Sequence, residues 1–176
     1  MTVALRVACA RARGYARALR ADADRLLSAL GLRRTELSVI IVDDPIIQGL
    51  NREFRGVDSP TDVLSFSQIE EIGADASHFD RLVDLAGTIL GDVVISIDTA
   101  LRQASQYRIT PAERLRRLLT HGTLHLIGYD HERSRVDARR MFARERELVK
   151  ALSRRGTGRR QVAKATRRSS GKRTAR

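Results

Sequence analysis

One segment, marked at both ends, sets the terms for the rest of the chain. Thr110 and Glu113 have the spacing of a capping box, and Pro111 occupies the first position after the cap, where its missing N–H costs nothing. Leu115, Leu118, Leu119, Gly122 and Leu126 then recur on one side of the helix this start predicts. Gly128 ends it. A helix with an apolar stripe of this kind must bury it against another layer. His121 and His125 lie at the edge of the stripe, one turn apart on one face, and His131 follows the glycine turn.

These are three of the chain's four histidines. Two imidazoles one turn apart, with a third returned by a turn, can surround one ion and leave a coordination position open. Three neutral imidazoles plus a free position is the pattern of a catalytic zinc site. Two histidines at this spacing could instead decorate a half-buried helix face, and the third is what favours a metal. Nickel and copper also accept imidazole. In the common zinc-peptidase motif a glutamate follows the first histidine and serves as base. Here that position is Gly122, which argues against a peptidase mechanism. Asp130 and Glu132 flank His131; each either orients an imidazole or accepts a proton, or serves as turn and first-turn helix chemistry.

Taken in order, Thr2 to Ala8 alternates as a strand, and Ala10 to Leu30 is Ala/Arg/Leu-rich and helical, ending at Gly31. Leu19, Ala23, Leu26, Leu27 and Leu30 form its buried stripe. Leu37 to Val42 is a buried strand. Asp43 or Asp44 caps a helix that Pro45 opens and that runs to about Phe54. Asp58-Ser59-Pro60 is a turn, and Thr61 to Phe66 a short strand. Ser67 to Ala86 is a polar loop that holds His78 as a bystander. Thr88 to Ile97 is β-rich, with Gly91-Asp92 marking a bulge. Ser96 or Asp98 starts the next helix, and Glu132 to Leu152 forms the last, with Val136, Met141, Leu148 and Val149 among its apolar positions. About four strands and five helices predict an α+β fold, a small mixed sheet packed by helices, with the histidines on a helix and the following turn.

The net charge is +12, but ten Lys/Arg and no Asp/Glu fall within residues 154–176, so the body carries 23 basic against 21 acidic residues. Residues 1–153 therefore read as one domain and 154–176 as a basic, disordered tail. Ten cations attract a polyanion such as RNA in a salt-sensitive way, without base stacking, since no aromatic is interleaved. Cys9 is the only cysteine, which excludes an internal disulfide and predicts no disulfide-linked partner. Val3 to Ala10 is too short and broken for a signal or a membrane span. The expected address is the cytoplasm, with no membrane partner.

Three blocks, in order, resemble the YbeY family of bacterial metal-dependent endoribonucleases, the rRNA maturation factors. They are Leu50-Asn51-Arg52-Glu53-Phe54-Arg55 with Ser59-Pro60-Thr61-Asp62-Val63-Leu64-Ser65-Phe66, then Leu90-Gly91-Asp92-Val93-Val94-Ile95-Ser96, then His121 to His131. The match spans roughly Leu37 to Leu152. The resemblance implies one zinc ion on His121, His125 and His131, and a functionally important arginine at Arg55. It implies a single-strand-specific endoribonuclease acting on rRNA and ribosomal particles, in small-subunit 3′-end maturation and ribosome quality control. Arg55 suits that role chemically, because a guanidinium fork binds phosphate oxygens. Asp62 and Ser65 either line the cleft or finish a turn and a strand face. Arg114 and Arg117 are placed to guide a phosphate backbone, or form a wet helix face. The alternatives are a non-catalytic ribosome-assembly factor with a structural metal, or a zinc hydrolase of a non-RNA substrate.

Overall fold

The structure, a computed structural model, describes residues 2–69 and 89–154. Its elements are β1 (Thr2–Val7), a 3-10 turn (Ala10–Ala12), α1 (Arg13–Ala29), β2 (Glu36–Val42), α2 (Asp44–Arg55), β3 (Val63–Ser67), β4 (Ile89–Ser96), α3 (Ile97–Gln106), α4 (Pro111–Leu126) and α5 (Arg135–Arg154). Among the described residues this is the α+β fold expected, four strands with five α-helices. The strands form one mixed sheet in the order β1-β2-β4-β3. β1 and β4 run parallel to β2, and β3 lies antiparallel to β4 at the edge.

Alternation along β4 shows how the layers are built. Val93 and Ile95 join Val39 and Ile41 in the larger core, against Leu26 and Leu27 of α1, Leu115, Leu119 and Leu124 of α4 and Met141 of α5. Val94, between them, points the other way and meets Ile47 of α2, Leu64 and Val42. Both faces of the central strands are thus covered, and each carries a continuous apolar run, Val39 to Val42 in β2 and Val93 to Ile95 in β4. Each fully buried Leu or Ile contributes about 1.5–3 kcal/mol relative to exposure. Buried Asp22 of α1 pairs with Arg25 and with Arg116 of α4 at 2.9 Å, tying the two helices.

Local chemistry fixes the element ends. Asp43, not Asp44, caps α2, accepting from the Ile46 N–H at 3.3 Å. Asp44 instead receives the Ser96 and Thr99 hydroxyls and Arg102, which joins the starts of α2 and α3. Burial alone would raise the Asp44 pKa, but those three bonds outweigh it and hold the carboxyl below its ordinary value. Ser96, not Asp98, caps α3. Thr110 caps α4 from its side chain at 3.1 Å, while Glu113 turns to Arg117 at 2.6 Å and does not close the box. β3 starts at Val63, later than Thr61, because the Asp62 carboxylate takes the Val63 N–H at 2.9 Å. α5 starts at Arg135 and not Glu132, because Ser134 accepts from the Asp137 N–H at 3.1 Å. Val136, at its first turn, is 55% exposed and is not part of the core. Residues 70–88, with His78 and most of the polar loop, and residues 155–176 of the basic tail lie outside the described residues. Among the described residues no helix is long and apolar enough to cross a membrane.

Candidate metal centre

α4 lies on the sheet at Gly122. The Ser65 hydroxyl of β3 donates to the Gly122 carbonyl at 3.1 Å. A Cβ at Gly122 would stand 2.8 Å from Val93 Cγ1, 2.9 Å from Ser65 Oγ and 3.2 Å from Val63 Cγ2. The position after the first histidine therefore faces β-branched side chains of the sheet. A glutamate there would be driven into β3 and β4, so this packing leaves no room for the zinc-peptidase base.

One residue earlier and three later, the helix turns its imidazoles outward. Gly128, at φ 91°, reverses the chain and brings His131 back. One ligand atom from each of His121, His125 and His131 lies within 4.8 Å of the others, and the ring centroids are 4.8, 5.2 and 5.1 Å apart. Each ring has its own support. Glu145 of α5 sits 3.0 Å from His121 Nδ1. The Tyr129 backbone bonds the His125 imidazole. Phe142 of α5 stacks on His131, centroids 5.6 Å apart and planes at 21°.

The donor set fits a cation. A carboxylate only accepts, so a neutral His121 that bonds Glu145 carries its proton on Nδ1 and its lone pair on Nε2. That Nε2 faces His125 Nε2 at 3.1 Å. Tetrahedral bonds of about 2.0–2.1 Å separate two ligand nitrogens by roughly 3.3 Å, close to that spacing. Burial, with His121 and His131 beside it, pushes the His125 pKa down to about 4. The imidazole is therefore neutral at physiological pH, as coordination requires.

This depression has a stability consequence for the metal-free chain. Unfolded, His125 takes up a proton near pH 6.5; folded, it refuses one until about 4. Above 6.5 both states are neutral and the group adds no pH dependence. Between 6.5 and 4 the unfolded chain binds more protons, so stability falls as pH falls. Thermal melts of chelator-treated protein across that window should show the fall, and it should shrink in His125→Asn. Equal slopes in the two proteins would contradict the assignment.

Arg55 ends α2 and pairs with Glu132, Nη2 to Oε1 3.5 Å, so it stands beside the His131 turn. Glu132 thus serves Arg55 and not an imidazole, and Asp130 does turn work, accepting from the Glu132 N–H at 2.8 Å and pairing with Arg133. Asp62 and Ser65 are framework: Asp62 binds Arg114 at 3.0 Å and Gln103 at 3.1 Å. Arg114, with its other arm on Gln103 at 2.8 Å, and Arg117, on Glu113, are engaged within the fold instead of lining a path for phosphates. Gly91 does mark a bulge, since the β2–β4 register slips between Glu36 and Leu37. Glu145 and Phe142 are the residues sequence reasoning missed; α5 read there only as an amphipathic helix.

The comparisons with known proteins identify the family. The family model described as Endoribonuclease YbeY matches residues 11–153. An endoribonuclease YbeY of Anaeromyxobacter sp. (strain Fw109-5) is 48% identical over 151 residues, covering 86% of this chain and 72% of the relative. That of Geobacter metallireducens is 48% identical over 140 residues, 78% and 87% of the two chains, and that of Aquifex aeolicus 44% over 131 residues, 74% and 79%. In fold, the chain is similar to a Thermotoga maritima protein solved in solution, with TM-score 0.59 and 23% identity over 98% of this chain and 100% of the other. On the family model and these relatives together, the chain belongs to the YbeY family.

Proposed function

We propose that this protein is a zinc-dependent endoribonuclease of the cytoplasm, with one ion held by His121, His125 and His131 and with Arg55 acting on the scissile phosphate. The observation that carries it is the convergence of three imidazoles, one of them backed by a carboxylate, beside an arginine whose only ion pair among the described residues is loose. Zinc at this site would supply Lewis acidity toward a phosphoryl oxygen and a lowered pKa for water. Arg55 and Glu132 are 53% and 67% exposed in their side chains, and a pair that open contributes little. A phosphate can therefore take the guanidinium from Glu132 at small cost and gain a two-pronged, charge-assisted contact. Arg55 then orients the phosphodiester and neutralises charge that builds on its oxygens.

Family membership extends the proposal to single-stranded RNA, to rRNA and ribosomal particles, and to small-subunit 3′-end maturation and ribosome quality control. Residues 1–153 would form the nuclease domain, and the ten cations of 154–176 would add salt-sensitive attraction to the RNA. The test is cleavage of a single-stranded rRNA fragment by wild type, Arg55→Lys and Arg55→Glu. Loss of a single charge-stabilising donor costs about 10²–10³ in rate. Arg55→Glu should show at least that loss with zinc content unchanged, and Arg55→Lys a smaller one. Wild-type cleavage by Arg55→Glu would remove Arg55 from the mechanism.

A further inference from the structure

Among the described residues, Glu145 is the one carboxylate within hydrogen-bond distance of a histidine of the trio, and it lies outside every motif block of the sequence. The geometry points to Glu145 as the positioning residue of the metal centre: it fixes His121 as the tautomer protonated on Nδ1 and so aims the Nε2 lone pair at the ion. This inference rests on reading the three histidines as a metal site and names what holds that site in its binding form.

Three observations carry it. The contact is short, 3.0 Å, and sheltered, with side chains 21% and 20% exposed, so solvent weakens it far less than a surface pair. The remaining nitrogen of His121, Nε2, is the one turned toward His125 at 3.1 Å. Glu145 is itself held, because Met141, four residues before it, and Leu148, three after, are 0% and 3% exposed in the core. α5 is therefore anchored on both sides of the carboxylate. The same helix face presents Phe142, one turn earlier, to His131. Two imidazoles from separate segments thus take their orientation from one helix, while the Tyr129 backbone serves the third. Outer partners of metal-bound histidines set ring orientation and basicity, and their loss costs about 10–100-fold in metal affinity.

The rival role for Glu145 is merely to clamp α5 onto α4. Full-length, metal-free protein separates the two when titrated with Zn²⁺ against a competing chelator, alongside ¹⁵N measurement of the His121 ring. Glu145→Ala should bind Zn²⁺ about 10–100-fold more weakly and lose the Nδ1–H form of His121. Glu145→Gln keeps an acceptor oxygen for that proton and should recover most of the affinity and the Nδ1–H form. Wild-type affinity in Glu145→Ala overturns the assignment while leaving the metal site standing. Equal weakening in both variants, with the His121 tautomer unchanged, assigns Glu145 to clamping and also overturns it. If wild type itself takes no Zn²⁺, the metal reading fails and this inference fails with it.

Discussion

His125→Ala yields a folded protein that purifies without stoichiometric zinc and cleaves single-stranded RNA at least about a thousandfold more slowly than wild type. The size follows from what a metal supplies in phosphoryl chemistry, several kcal/mol of charge stabilisation, with each 1.36 kcal/mol worth a factor of ten. His125 is the telling position because it is the partner closest to His121, 3.1 Å between the two Nε2 atoms. Without it the two remaining imidazoles come from separate segments and share no helix turn. The fold should survive, since Leu124 and Leu126 on either side are 0% and 2% exposed and keep α4 seated. Circular dichroism, metal analysis and the cleavage assay on one preparation check all three statements. A variant that lacks zinc yet cleaves at the wild-type rate would refute the metallonuclease reading, whatever the family.

The parts of this molecule that were legible in the sequence are those set within one helical turn or one strand. The start of α4 was readable because Thr110 reaches only as far as the Glu113 N–H. The core stripe of α1 was readable because Leu19, Ala23, Leu26 and Leu27 repeat at the period of their own helix. The three histidines were readable for the same reason, being a turn pair plus one short return. What failed to show was set by contacts between distant segments. No spacing rule connects His121 to Glu145, 24 residues on, so the acidic neighbours Asp130 and Glu132 stood out instead. Arg114 looked available for phosphate because its true partner, Asp62, is 52 residues away in sequence. Arg55 is the instructive middle case. Its helix and the turn after it could be read locally, but its approach to Glu132 is a contact between distant segments that no local spacing shows.

Gly91→Ala should cost at least about 4 kcal/mol, a loss in the exceptional range for one substitution and much of a typical total of about 5–15 kcal/mol. Two independent terms add at this position. The backbone stands at φ 131°, a region other residues enter only at about 1–3 kcal/mol. A Cβ there would also lie 2.0 Å from the Phe66 carbonyl oxygen and 3.1 Å from the Gln68 N–H nitrogen. Both are backbone atoms of the paired edge chain, so no rotamer change relieves the overlap and β3 must pull away from β4. The extra residue of the bulge, Leu90, is 0% exposed, so straightening the strand to relieve the strain would withdraw a side chain from the core. The damage reaches the site, because β3 carries Ser65, whose hydroxyl holds Gly122 one residue from His121. Urea melts of Gly91→Ala beside Gly49→Ala make the measurement self-controlled: Gly49 is an interior α2 residue with nothing within 4 Å of its added Cβ, and there the same change should gain about 0.5–1 kcal/mol. A Gly91→Ala protein that melts like wild type would mean β3 can leave the sheet edge without cost, and Arg55 and Gly122 would then owe their positions to something other than this strand.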